Sequence, residues 1–161
     1  MAIYYIKPAA NGGSDSNNGL SSSTAWATLG KALLSGSPIV GGDTVYIAPG
    51  TYTESITLSA ASPTSEVNII GNPTATQFPG ITPGFVRISS FDSTGSSSVN
   101  NIMLYGFEKS NYTFQNLHFD GNHLTSSNSA VMFIRGLNLK FIKCLIFYYL
   151  MYLYLLILQM L

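Results

Sequence analysis

The densest group of polar and ionisable side chains in the sequence lies between Asn116 and His123. Asn116, His118 and Asp120 alternate with Leu117 and Phe119, and the two-residue period of a strand sends the polar three to one face and the apolar pair to the other. An amide, an imidazole and a carboxylate on one outward face, with His123 in the turn that follows, suit hydrogen bonds to sugar hydroxyls or a weak metal site. The two histidines lack the helical spacing of paired metal ligands, and an inert solvent-facing strand is the plainer alternative. Arg87 stands between Val86 and Ile88, so it too points outward, toward an acidic sugar or simply toward solvent.

A glycosidase needs two carboxyl groups roughly 5 to 9 Å apart across a groove. Asp92 and Asp120 each follow a strand, but no Asp-Asp or Asp-x-x-Asp spacing marks such a pair, and a turn role explains each more simply. A lyase needs a base near the α-proton of a uronate and a cation to stabilise the carboxylate. No catalytic residue is assigned from the sequence. Asp15-Ser16-Asn17-Asn18-Gly19 has the alternating oxygens and the glycine of some calcium loops, which makes Asp15 and Asn17 weak calcium candidates. The closing glutamate of such a loop is missing, and an Asn/Gly turn accounts for the same residues. No phosphate loop, dinucleotide motif or nucleophile elbow occurs. With the single cysteine, Cys144, the chain can form neither an intrachain disulfide nor a cysteine-cluster metal site.

The elements that must hold these residues are short. Ile3 to Ile6 is a strand stopped by Pro8, followed by a polar loop from Ala9 to Thr24. Ser23 or Thr24 can cap a helix of about ten residues whose apolar face is Trp26, Leu29, Leu33 and Leu34, ended by Gly36. Strands then follow at 45–48, 56–58, 67–70, 85–89, 101–107, 112–119, 131–134 and 137–147, with Pro49-Gly50, Pro79-Gly80 and Pro83-Gly84 as turns. Asn111 to Phe119 lines up position by position with Asn138 to Ile146, and Leu104 to Phe107 falls on Val131 to Ile134 at the same offset. A period of roughly 20 to 50 residues favours stacked coils, in which a very short strand suffices because its partners come from the coils above and below; an antiparallel sandwich would also use short strands and Pro/Gly turns but gives no reason for the offset.

Composition agrees with a polar but weakly charged surface. Charged residues make up 9% of 161 residues and apolar ones 46%, with 15 glycines, so Ser, Thr, Asn and Gly must form most of the exterior. Seven bases balance seven acids, and no basic patch supports nucleic-acid binding. Through Ala130 the net charge is −3, from four bases and seven acids, and the last three bases are Arg135, Lys140 and Lys143.

Gly13-Ser14-Asp15, Asn18-Gly19, Ala27-Thr28, Gly42-Asp43-Thr44-Val45 and Pro49-Gly50-Thr51-Tyr52 together resemble the N-terminal entry of right-handed parallel β-helix proteins of the pectate-lyase-like group. The likeness is good from Tyr4 to about Leu58 and looser to Phe147. It implies an all-β fold, a right-handed single-stranded parallel β-helix (β-solenoid) with an N-terminal capping α-helix. It divides the chain into an entry strand, loop and helix (1–38), coils (39–147) and a hydrophobic tail (148–161). Members include polysaccharide lyases, glycoside hydrolases, epimerases, phage tailspikes and noncatalytic surface proteins, and fold alone does not choose among them.

The tail raises a separate expectation. Cys144 to Leu161 carries no charge and just reaches the lower limit for a membrane span, about 18 residues, yet it interrupts a coil and supplies no polar cap. A truncated or frameshifted end explains both; a membrane anchor is the alternative. MAIYYIKP is no classical signal peptide. The leading expectation is a carbohydrate-directed β-helix fragment that meets a polysaccharide or cell-surface glycan in an extracellular, cell-surface or virion setting. If active it would be a lyase or hydrolase, with calcium as the only cofactor suggested; if tailspike-like, a homotrimer. A noncatalytic structural or adhesive protein and a membrane-anchored solenoid are the competing readings. The glycan contacts would be Asn116, His118, Asp120, His123 and Arg87.

Overall fold

The structure is a computed structural model that describes residues 1–54, 56–58, 62–89, 102–107, 109–120, 130–136 and 138–147. Among these residues the strands form three sheets in which every pairing is parallel. The first sheet has the order β1 (Ile3–Ile6), β2 (Thr44–Ile47), β5 (Val67–Gly71), β8 (Tyr112–Gln115), β11 (Leu139–Ile142). The second runs β12 (Leu145–Phe147), β9 (His118–Asp120), β6 (Val86–Ser89), β3 (Gly50–Thr53). The third comprises β10 (Ala130–Arg135), β7 (Ile102–Phe107) and β4 (Ile56–Thr57). A 3-10 turn at Ala9–Asn11 and a helix α1 at Leu29–Leu33 complete the described elements.

Strand alternation fills one interior. Tyr4, Val45, Ile69, Phe114 and Phe141 stand in register across the first sheet, and Tyr52, Ile88, Phe119 and Ile146 across the second. Most of these belong to one buried cluster that also takes in Trp26, Leu29 and Leu33, each such side chain contributing about 1.5 to 3 kcal/mol when fully buried. Trp26 stacks on Tyr4 with ring centroids 5.0 Å apart, and its indole N–H donates to the Asn17 carbonyl at 2.9 Å, so the polar loop is fastened to the core by the chain's one tryptophan.

The expected all-β, right-handed single-stranded parallel β-helix is corrected. Among the described residues the five- and four-stranded sheets are open, no sheet closes on itself, and helical turns are inserted among the strands, an arrangement of α/β type. No uniform coil length runs through it: the step from Val67 to its partner Tyr112 is far longer than the steps from Thr44 to Asn68 and from Tyr112 to Leu139. The constant offset seen in the sequence is confined to β8 with β11 and β9 with β12. In the third sheet Met132, not Val131, lies opposite Leu104, because the segment from Arg135 to Asn138 is one position shorter than that from Phe107 to Asn111.

The capping helix is also shorter than its apolar spacing suggested. Residues Leu29–Leu33 form one turn and a half, capped by the Thr28 side chain accepting from the Lys31 amide. Trp26 is extended and bridges to Ile6, while Leu34 leaves the helix and is exposed. Gly50, read as part of a turn, begins β3, since its amide donates to the Phe85 carbonyl and it pairs with Val86. The long strands expected at 112–119 and 137–147 are each broken by a left-handed residue, Asn116 (φ 55°) and Lys143 (φ 51°).

Candidate functional site

Two strands of the second sheet bring Arg87 and the His118 segment together. In β6 the apolar Val86 and Ile88 turn inward and in β9 Phe119 does, which puts Arg87 and Ser89, and His118 and Asp120, on the other face of the sheet, where Arg87 and His118 are half-buried and Ser89 and Asp120 are buried. The register sets Arg87 opposite His118 and Ser89 opposite Asp120. From there the Arg87 Nη2 group donates to Asp120 Oδ2, forming an ion pair whose carboxylate is only 3% exposed while the arginine side chain is 39% exposed. Arg87 Nε is buried and makes no hydrogen bond among the described residues. The guanidinium is thus anchored on one side and open on the other.

Phe85 enlarges the site. It precedes β6 with the same parity as Arg87, is 74% exposed, and meets the His118 ring edge-on with centroids 6.1 Å apart. Burial pushes the His118 imidazole below its ordinary pKa, and the neighbouring Arg87 charge pushes it the same way, which favours neutral imidazole at neutral pH. In front of Phe85 and Arg87 lies an open groove of about 480 Å³ whose walls include Asn11, Thr51 and Thr82. Among the described residues its lining holds one cation and no carboxylate.

The sequence-derived candidates divide accordingly. His118, Asp120 and Arg87 come together as one cluster. Asn116 does not join it: its left-handed backbone makes the corner between β8 and β9, and its amide donates to the Gly71 carbonyl at 3.3 Å. His123 and Asp92 lie outside the described residues. Phe85 opens the expected strand 85–89, and its parity with Arg87 is the sequence signal for an outward ring. Lys7 and Asn11, which line the neighbouring hollow, carried no local signal.

Asp15 and Asn17 are engaged by the protein itself. Asp15 Oδ1 accepts from the Ala27 and Thr28 amides at 2.8 and 3.1 Å, and Oδ2 from the Thr28 hydroxyl at 2.8 Å. Asn17 Nδ2 donates to the Ala25 carbonyl at 3.0 Å. These are N–H and O–H donors that a cation would have to displace, and the arrangement fits a loop clasp better than a calcium cage. No group of three or more His, Cys, Asp or Glu side chains is placed to hold a metal among the described residues. Tyr46 faces outward beside Tyr5, with ring centroids 6.2 Å apart, whereas Tyr112 is buried in the core.

No helix among the described residues is long and apolar enough to cross a membrane, and 148–161 lie outside them. Comparison of the chain with protein-family models, curated proteins and solved structures gives no match.

Proposed function

We propose that this protein binds carbohydrate on the outer face of β3, β6 and β9 and holds it without cutting it. The observation that carries the reading is the exposed Phe85 ring beside the half-open Arg87 guanidinium at the mouth of the groove. A sugar offers a C–H face that packs on an aromatic ring and hydroxyls that bond to amides, hydroxyls and guanidinium, and Thr51, Thr82 and Asn11 supply the neutral polar groups around that pair.

Binding is favoured over cleavage by the state of Asp120. A carboxyl that is buried and paired with Arg87 is not free to donate a proton to a leaving oxygen, and the groove is lined by no carboxylate among the described residues. The test is retention of the full chain on immobilised neutral and acidic polysaccharides, with reducing ends and unsaturated products followed in parallel. Retention that weakens on Phe85→Ala, with no product formed, is expected. Failure of every glycan to retain the protein would sink the reading; release of product would overturn its noncatalytic part.

A further inference from the structure

The three sheets share a terminal layer. β10, β11 and β12 each have one neighbour, β7, β8 and β9 respectively, and no second one among the described residues. β11 and β12 follow each other with only Lys143 and Cys144 between them, so residues 139–147 form one continuous edge. The Ile142 carbonyl accepts from the Asn116 amide at 3.0 Å, and the Leu145 amide donates to the Leu117 carbonyl at 2.9 Å. Successive strand residues turn their backbone groups to opposite sides, so the amides of Phe141 and Ile146 point to the free side. The side chains lack a layer as well. Tyr112, Phe114 and Phe119 are buried between a strand before and a strand after, whereas their register partners Leu139, Phe141 and Ile146 are covered from one side, Leu139 and Phe141 half-buried and Ile146 39% exposed. Phe141 stacks on Phe114 with centroids 5.2 Å apart, and Cys144 packs against the same core.

At its other end the first sheet is closed by its own chain. The Tyr5 amide donates to the Gly19 carbonyl at 2.8 Å, and the Trp26 amide to Tyr5 and the Lys7 amide to Trp26, both at 2.9 Å, so the polar loop and Trp26 occupy the free edge of β1. An edge left open is a template for another strand. Charge selects what can close the edge of β11 and β12. Residues 130–147 carry Arg135, Lys140 and Lys143 and no acid, and Lys140 is paired with Glu66. A second copy docked edge to edge would set cation against cation. Residues 148–161 continue directly from β12 and carry no charge, and Gln159 is their one side chain that is not apolar. At about 3.3 Å per extended residue those fourteen residues reach about 46 Å. The chain lays the edge of the first two sheets with only nine, 139–147.

We propose that residues 148–161 dock on the free edge of β11 and β12 and close it, with Phe141, Cys144 and Ile146 as the docking surface. The segment supplies the apolar layer over Phe141 and Ile146 and shields their two amides from water, and the chain's single cysteine lies beneath it. This docking is independent of the carbohydrate reading, which concerns the outer face of β3, β6 and β9.

The test uses the full chain. Leu150→Cys, Leu153→Cys, Leu155→Cys and Leu158→Cys are oxidised one at a time with glutathione disulfide, in buffer and in urea. Maleimide labelling of Cys144 and hydrogen exchange at Phe141 and Ile146 compare the unsubstituted chain with a double variant, Leu153→Asp with Leu156→Asp. Intrachain disulfides with Cys144 are expected to form about tenfold faster at some positions than at others in buffer and at similar rates in urea, because docking fixes which residues lie over Cys144. Labelling and exchange are expected to be about tenfold faster in the double variant, which should also self-associate through its bared edge. Trp26 fluorescence reports whether that variant folds; if it does not, the cysteine series decides alone. Disulfide rates that show no dependence on position in buffer overturn the proposal, as do equal labelling and exchange in a folded double variant. Covalent dimers in place of intrachain disulfides would assign the edge to a second copy. Partition of the full chain into phosphatidylcholine vesicles with faster labelling of Cys144 would assign the segment to lipid; either result overturns the docking.

Discussion

Arg87 and Asp120 sit two register positions apart on neighbouring parallel strands, Arg87 opposite His118 and Asp120 opposite Ser89, and the guanidinium closes over a carboxylate that solvent barely reaches. The two partners are unequal in exposure, and their removal should be unequal in cost. Arg87→Ala leaves a buried anion without its guanidinium, which costs about 2 to 4 kcal/mol; Asp120→Ala leaves a cation that can turn to water, which costs about 1 to 2 kcal/mol. Urea unfolding of both single variants and the double variant, at neutral and acidic pH, measures the order and the coupling.

Glu54 gives the fold a pH dependence of its own. Its two oxygens accept from the Leu29 and Gly30 amides, both at 2.9 Å, and so hold α1 against the end of β3. Burial raises its pKa more than those two bonds lower it, with the Asp15 charge adding to the rise. An acid whose pKa is higher in the folded chain holds its proton longer there than in the unfolded chain. Stability therefore falls as pH rises from the ordinary glutamate pKa of about 4.3 through the raised folded value. Glu54→Gln should flatten that slope, as measured by denaturant midpoints across the interval; an unchanged slope would assign the dependence elsewhere.

Much of this arrangement could be read from alternation alone. Leu117 and Phe119 are buried and His118 and Arg87 lie on the other face, as a two-residue period requires, but Asp120, expected on the outer face, is buried under Arg87. What alternation cannot supply is the lateral partner: Arg87 and Asp120 are 33 residues apart in the chain, and only the parallel register joins them. The assumption of a uniform coil failed for the same reason. The connection from Gly71 to Val86 is much longer than its counterparts from Ile47 to Gly50, Gln115 to His118 and Ile142 to Leu145, yet the strands on either side of it keep their parallel pairing. The helix was overestimated because Trp26, in phase with Leu29 and Leu33, is drawn into an extended bridge with Ile6 by its backbone bonds to Tyr5 and Lys7.

Two glycines separate steric from conformational cost. A Cβ on Gly13 would run into the Lys7 carbonyl oxygen and come within 2.9 Å of that of Trp26, both backbone atoms. Gly13→Ala must push apart the strand edge and the loop, and a loss above about 2 kcal/mol is expected. A Cβ on Gly36, at φ +86°, would meet nothing within 4 Å, so Gly36→Ala should cost only the left-handed backbone penalty of about 1 kcal/mol. Chemical denaturation of the two variants side by side tests the distinction; equal losses would contradict it.

The chain places asparagine at one left-handed corner and lysine at its counterpart. Asn116 (φ 55°) separates β8 from β9, and Lys143 (φ 51°) separates β11 from β12, the strands that pair with them in the same register. Asparagine tolerates this backbone region and glycine is unstrained there, whereas a long side chain brings its Cβ too close to the following carbonyl. Lys143 is exposed and makes no ion pair among the described residues, so replacing it removes little besides the strain. Lys143→Asn and Lys143→Gly should each stabilise the folded chain by about 0.5 to 1 kcal/mol, glycine offset in part by its greater freedom when unfolded. The reciprocal Asn116→Lys should destabilise by more than the strain alone, because it also removes the amide bond to the Gly71 carbonyl. Unfolding midpoints that rise for the first pair and fall for the third would establish the two corners as equivalent; a fall for Lys143→Asn would show that the lysine holds its corner by a contact of its own.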